Sequence, residues 1–193
     1  MQELNKITKA IRTQVPRTDE MEHSSPLYLT SSFCFDNAED MRAAFADESE
    51  DNIYSRFSNP SVQEFIDRMC IMEGAEAGFA TASGMSAVFA CFMTLMKSGD
   101  HFISCNAIFG STHTVITKYL PKFGINHTYV NATDIDAWEA AITPQTKLIY
   151  LETPTNPGLE IIDLQKVGAL AQKHNLILCV DNCFATPVCQ QPV

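Results

Sequence analysis

The chain has no apolar run near the roughly 18 residues that a membrane-crossing helix needs. Met1 to Thr30 also lacks the apolar centre of a signal peptide. No cluster of lysine and arginine occurs: 13 basic residues stand against 23 acidic ones, a formal net charge of −10. That balance argues against nucleic acid as a partner. The seven cysteines (Cys34, Cys70, Cys91, Cys105, Cys179, Cys183 and Cys189) form no C-x-x-C pair, and the five histidines are scattered, so no group has metal-ligand spacing. An odd cysteine count, with Cys91 and Cys179 inside apolar runs, reads as reduced core thiols of a cytoplasmic protein. There is no Walker loop, no G-x-S-x-G elbow and no G-x-G-x-x-G after a strand. The last absence sets aside a dinucleotide-binding domain.

What is present is enough for a core. Of 193 residues, 46% are apolar and 19% charged, which fits one large α/β domain or part of a bigger one. Residues 1–50 read as polar and irregular, broken by Pro16, Pro26 and the acidic run at 47–51. From Asn59-Pro60, a helix start, the pattern changes. Phe65, Ile66, Met69 and Met72 recur at helical spacing until Gly74. Beyond it, strands are expected at 78–82, 101–105, 126–130, 147–151 and 176–180. Helices are expected at 83–97, 110–123, 135–142 and 164–174. This alternation predicts a mostly parallel sheet with helices on both faces and ligands at the carboxyl ends of the strands.

Four segments carry possible chemistry, each with a plainer reading beside it. Ala82-Ser83-Gly84-Met85 joins a strand to a helix, where free N–H groups favour a phosphate and Gly84 leaves room for it; it is equally an ordinary turn. Tyr54 and Arg56 precede Asn59-Pro60 and can both reach one anion, or form a surface pair. Glu152-Thr153-Pro154-Thr155-Asn156-Pro157 follows a strand and presents Glu152 and Asn156 from a loop stiffened by two prolines, or is a capped loop. Asp181 ends the apolar run Leu176–Val180 and needs a partner. A protonated pyridine nitrogen would serve, or the next turn, which Asp181 would cap.

In order and spacing, Y-S-R-x-x-N-P, S-G-M-x-A, E-T-P-x-N-P and D-N-x-x-x-T-P together resemble the Cys/Met-metabolism family of pyridoxal-phosphate (PLP) enzymes. The resemblance runs from about Thr30 to Val193. It implies the large domain of a fold-type-I PLP-dependent transferase, with residues 1–50 an amino-terminal extended segment for subunit contacts and 51–193 the first part of the PLP-binding domain. It implies that Ser83, Gly84 and Met85 line the cofactor phosphate, with N–H groups from Gly84 and Met85. Phe109 would stack on the ring, Asn156 would bond its hydroxyl and Asp181 would pair with its nitrogen. Tyr54 and Arg56 would reach the phosphate of a neighbouring subunit, which implies a homo-oligomer, a dimer of dimers.

Phe109 stands where many relatives carry tyrosine, so it can stack but cannot move a proton. That favours γ-replacement on an O-acylhomoserine by sulfide or a thiol, with methionine or cystathionine γ-lyase as the alternative. Cys183 replaces a common threonine, which reads as a packing change. The family's Schiff-base lysine lies in a Ser-x-Thr-Lys segment beyond D-N-x-x-x-T-P, and no lysine here matches it. The sequence is therefore expected to be an amino-terminal half, inactive by itself and leaving apolar faces uncovered; a non-catalytic fragment is the other reading.

Overall fold

The computed structural model describes residues 4–193. They form two compact units, one ending at Ala80 and one spanning Thr81–Pro192.

Asparagine caps organise the first unit. Asn5 Oδ1 accepts the Ile7 N–H at 2.9 Å and starts α1 (Lys6–Arg12). Asn37 Oδ1 accepts the N–H groups of Glu39 and Asp40, both at 2.9 Å, and starts α2 (Ala38–Phe45). Asn59 caps α3 (Pro60–Glu73), with Pro60 in the first turn and Gly74 closing it at φ 81°. The stretch before residue 50, expected to be irregular and extended, thus holds two short helices. Helix α1 is too short to persist by propensity. It is held to α3 where Arg68 Nε donates to the Thr13 carbonyl at 2.9 Å and the Val15 N–H to Glu64 Oε2 at 3.1 Å. A single antiparallel bridge joins Ser32 to Tyr54.

In the second unit, α4 (Gly84–Leu95) leads to β1 (His101–Cys105), α5 (Gly110–Thr114) and β2 (Asn126–Val130). Then come α6 (Ile135–Ala140), β3 (Thr146–Glu152), α7 (Leu164–Lys173), β4 (Ile177–Asp181) and α8 (Thr186–Cys189). All strands are parallel in the order β2-β1-β3-β4. The central strands β1 and β3 are buried on both faces apart from Lys147, which explains the continuous apolar run Leu148–Leu151 of β3. The register puts Phe102, Tyr150 and Cys179 on one face. Helix α4 covers that face: the Phe92 ring lies 4.8 Å from Phe102 and 5.0 Å from Tyr150. Helix α7 covers the other, with Gly168 against Leu178.

Three further expectations are corrected. Residues 78–82 pair with no strand, and Phe79 is 83% exposed; a short apolar run alone does not make a strand. The helix expected over 110–123 is α5 followed by a π turn at Val115–Tyr119 and a 3₁₀ turn at Leu120–Phe123. Pro121 has no N–H to continue the α pattern, and the Thr114 and Thr117 hydroxyls compete for carbonyls one turn back. All seven cysteines are free; Cys105 is buried in the core and Cys179 is half-buried against it, as expected, but Cys34, Cys183 and Cys189 are exposed.

Candidate functional site

The carboxyl end of the sheet gathers the unusual residues. Ser83 caps α4, and its hydroxyl accepts the Ser86 N–H at 3.2 Å. The first backbone bond of the helix runs from Ala87 to the Ser83 carbonyl. The N–H groups of Gly84 and Met85 therefore have no backbone acceptor among the described residues, at the positive end of the helix dipole. A Cβ built on Gly84 would meet nothing within 4 Å, so the backbone borders open space. The Thr112 hydroxyl contacts Met85 Sδ at 3.8 Å and ties this turn to α5.

Glu152 and Asp181 are register partners at the ends of β3 and β4, on the same face as Tyr150. Tyr150 donates its hydroxyl to Asp181 Oδ2 at 3.3 Å, and the Cys183 N–H donates to Oδ1 at 3.2 Å. Asp181 is thus fixed at both oxygens. Burial, reinforced by the neighbouring Asp181 charge, pushes the Tyr150 hydroxyl well above the ordinary phenol range, so it remains a donor. Glu152 is 4% exposed and its carboxylate accepts the Phe109 N–H at 2.7 Å. Its carboxyl is raised by burial; the Phe109 N–H opposes the shift and the Asp181 charge adds to it.

Asn156 belongs to a tightly bonded loop. Thr153 and Thr155 are fully buried. Their hydroxyls accept the N–H groups of Ile162 and Glu160, both at 3.0 Å. Gln190 Nε2 donates to the Thr153 carbonyl and to Asn182 Oδ1, both at 2.9 Å, which joins this loop to the segment after Asp181. The peptide bonds preceding Pro154 and Pro157 are both cis.

Ser83, Gly84, Met85, Phe109, Asn156 and Asp181 line one cavity of about 380 Å³, with Glu152, Cys183 and Phe184. That volume lies within the roughly 300–1,000 Å³ of small-molecule sites. A larger cleft of about 620 Å³ lies at the amino ends of the strands, lined in part by Lys97, Asp100 and Lys147, on the side away from where α/β sheets bind ligands. Tyr54 and Arg56 are exposed in the first unit, where the guanidinium lies 4.8 Å from the Tyr54 ring centroid and 5.4 Å from that of Phe57. No carboxylate pairs with Arg56 among the described residues.

A family model for the Cys/Met metabolism PLP-dependent enzymes matches residues 7–193. The chain belongs to this family. Among curated relatives of this PLP-dependent enzyme family, the O-succinylhomoserine sulfhydrylase of Pseudomonas aeruginosa is 46% identical over 96% of this chain and 46% of its own length. The L-methionine gamma-lyase of Pseudomonas putida is 39% identical over 87% of this chain and 42% of its own. Among solved structures, a Campylobacter jejuni protein assigned as an O-acetylhomoserine (thiol)-lyase, which carries a pyridoxyl-lysine phosphate, superposes with a TM-score of 0.92. It is 35% identical over 98% of this chain and 47% of its own. The chain spans about half the length of the curated relatives it matches.

The cavity fits the family's cofactor on its own chemistry. It offers free N–H groups beside open space for a phosphate, an amide at Asn156, an aromatic face at Phe109 and a doubly held carboxylate at Asp181. Tyr150, Gln190 and the Phe109-binding role of Glu152 were not legible in the sequence. Tyr150 reads there as one more apolar strand residue, and its alternation with Glu152 was the available signal.

Proposed function

We propose that the whole protein catalyses PLP-dependent γ-replacement on an O-acylhomoserine, with sulfide or a thiol as the incoming group, giving homocysteine or cystathionine. The observation that carries this reading is the gathering of Gly84, Met85, Phe109, Asn156 and Asp181 around one cavity at the carboxyl end of the sheet. PLP supplies, when bound, an electron sink that stabilises negative charge on a substrate carbon. In this proposal the N–H groups of Gly84 and Met85 hold the phosphate, with the Ser83 cap keeping that turn open. Asn156 donates to the ring hydroxyl. Asp181 faces the ring nitrogen and keeps a proton on it. Phe109 stacks on the ring and excludes water.

Without a hydroxyl, Phe109 cannot pass a proton to a leaving group, which supports replacement over elimination. Likeness to methionine gamma-lyases keeps γ-elimination as the second reading. Tyr54 and Arg56 are proposed to reach the phosphate of a neighbouring subunit in a cytoplasmic homo-oligomer, a dimer of dimers. An unpaired, exposed guanidinium supports that role. The test is an assay of the full-length protein with PLP, O-succinyl- or O-acetylhomoserine and sulfide. Homocysteine is the expected product. Release of α-ketobutyrate and ammonia from these esters or methionine without any thiol, and no homocysteine with it, would overturn replacement in favour of the lyase.

A further inference from the structure

Glu152 lines the cavity, yet the chemistry above gives it no task. Burying a carboxyl group is costly unless it is hydrogen-bonded. Here the residue is 4% exposed and its Oε2 accepts one bond, from the Phe109 N–H at 2.7 Å. The Phe109 carbonyl in turn accepts the His113 N–H at 2.9 Å. Both backbone polar groups of Phe109 are therefore engaged, and its Cα is pinned between the end of β3 and the first turn of α5. The ring keeps only its own torsions. The Phe109 side chain makes no capping bond at this entry into α5, so the bond from the Phe109 N–H to Glu152 orders it instead.

We infer that Glu152 is a positioning residue acting through Phe109: its carboxyl group holds the Phe109 backbone so that the ring lies over the cavity where the cofactor stacks. This rests on the PLP reading of the cavity. Glu152 and Phe109 are 43 residues apart in sequence and on different elements. The bond therefore makes the end of β3, which also aligns Asp181 through the register, the common reference for ring stacking and for the carboxylate.

Two substitutions separate holding from mere filling of space. Glu152→Met keeps the bulk and removes the acceptor, whereas Glu152→Gln keeps an acceptor and removes the charge. In cofactor-free full-length protein, hydrogen exchange of the Phe109 amide should quicken about tenfold or more in Glu152→Met. It should stay slow in Glu152→Gln. PLP affinity, read from the cofactor's visible absorbance, should fall about tenfold in Glu152→Met and little in Glu152→Gln.

In a Phe109→Ala background, Glu152→Met should cost no further affinity, because the effect runs through the ring. Unchanged exchange in Glu152→Met, or affinity losses that simply add, would overturn the inference. So would a loss of affinity in Glu152→Gln with the Phe109 amide still protected, and this outcome decides the matter even if Glu152→Met does not fold. A wild-type protein that binds no PLP would instead sink the cofactor reading, while the exchange experiment still tests the backbone hold.

Discussion

Gly84 stands at the first position of α4 and borders open space. A methyl group there clashes with nothing in the protein and replaces a poor helix former by the best one. Gly84→Ala should therefore leave the cofactor-free protein as stable as before, or up to about 1 kcal/mol more stable. The same methyl group would occupy the space proposed for the phosphate, so PLP affinity should fall. Thermal unfolding and a PLP titration check the two halves. A variant that loses stability, or binds PLP as well as the parent, contradicts this reading of Gly84. The sequence carried this much because S-G-M-x-A is local: the cap, the glycine and the helix start are neighbours. The role of Glu152 was not legible, because it depends on strand register and on a backbone amide 43 residues away.

Among the elements, the packing of α4 on the sheet turns on Phe92, fully buried between Phe102 and Tyr150. Phe92→Ala should cost about 3–5 kcal/mol in chemical denaturation. A loss well under 1 kcal/mol would mean that α4 does not depend on this contact. The sheet has a second sensitive point in His101. Its ring nitrogens contact the hydroxyls of Thr146 and Thr128 at 2.8 and 2.9 Å. Burial lowers its pKa below 6.5. His127 is lowered as well, first by burial and then by His101 and His113. Below about pH 6.5 the unfolded chain binds protons that these folded imidazoles refuse, so stability is full above that pH and falls as pH drops.

The urea midpoint should decrease from about pH 7.5 to about pH 5.5, and decrease less in His101→Gln. A midpoint that holds or rises over this window contradicts the assignment. Strands β3 and β4 were legible as apolar runs and α4, α6 and α7 as helical periods, while β1 and β2 were legible from their place in the strand–helix alternation. Helices α1 and α2 were not, since their short polar sequences gain order from caps and, for α1, from Arg68 and Glu64 of α3. The strand expected at 78–82 failed because nothing pairs with it.

At the scale of the molecule, large apolar side chains remain exposed in both units: Leu27, Leu29 and Phe57 in the first, Ile177, Phe184 and Val188 in the second. The relatives matched here are about twice the length of this chain. The cavity at the carboxyl end of the sheet is proposed to be the cofactor site. The most direct test is the mass of the protein, purified from its natural source, after borohydride reduction, which fixes lysine-bound pyridoxal covalently. One pyridoxyl-phosphate adduct per chain, lost or sharply reduced in Asp181→Ala, is expected. A protein that gains no adduct with PLP in excess, or gains it equally without Asp181, would contradict the proposal.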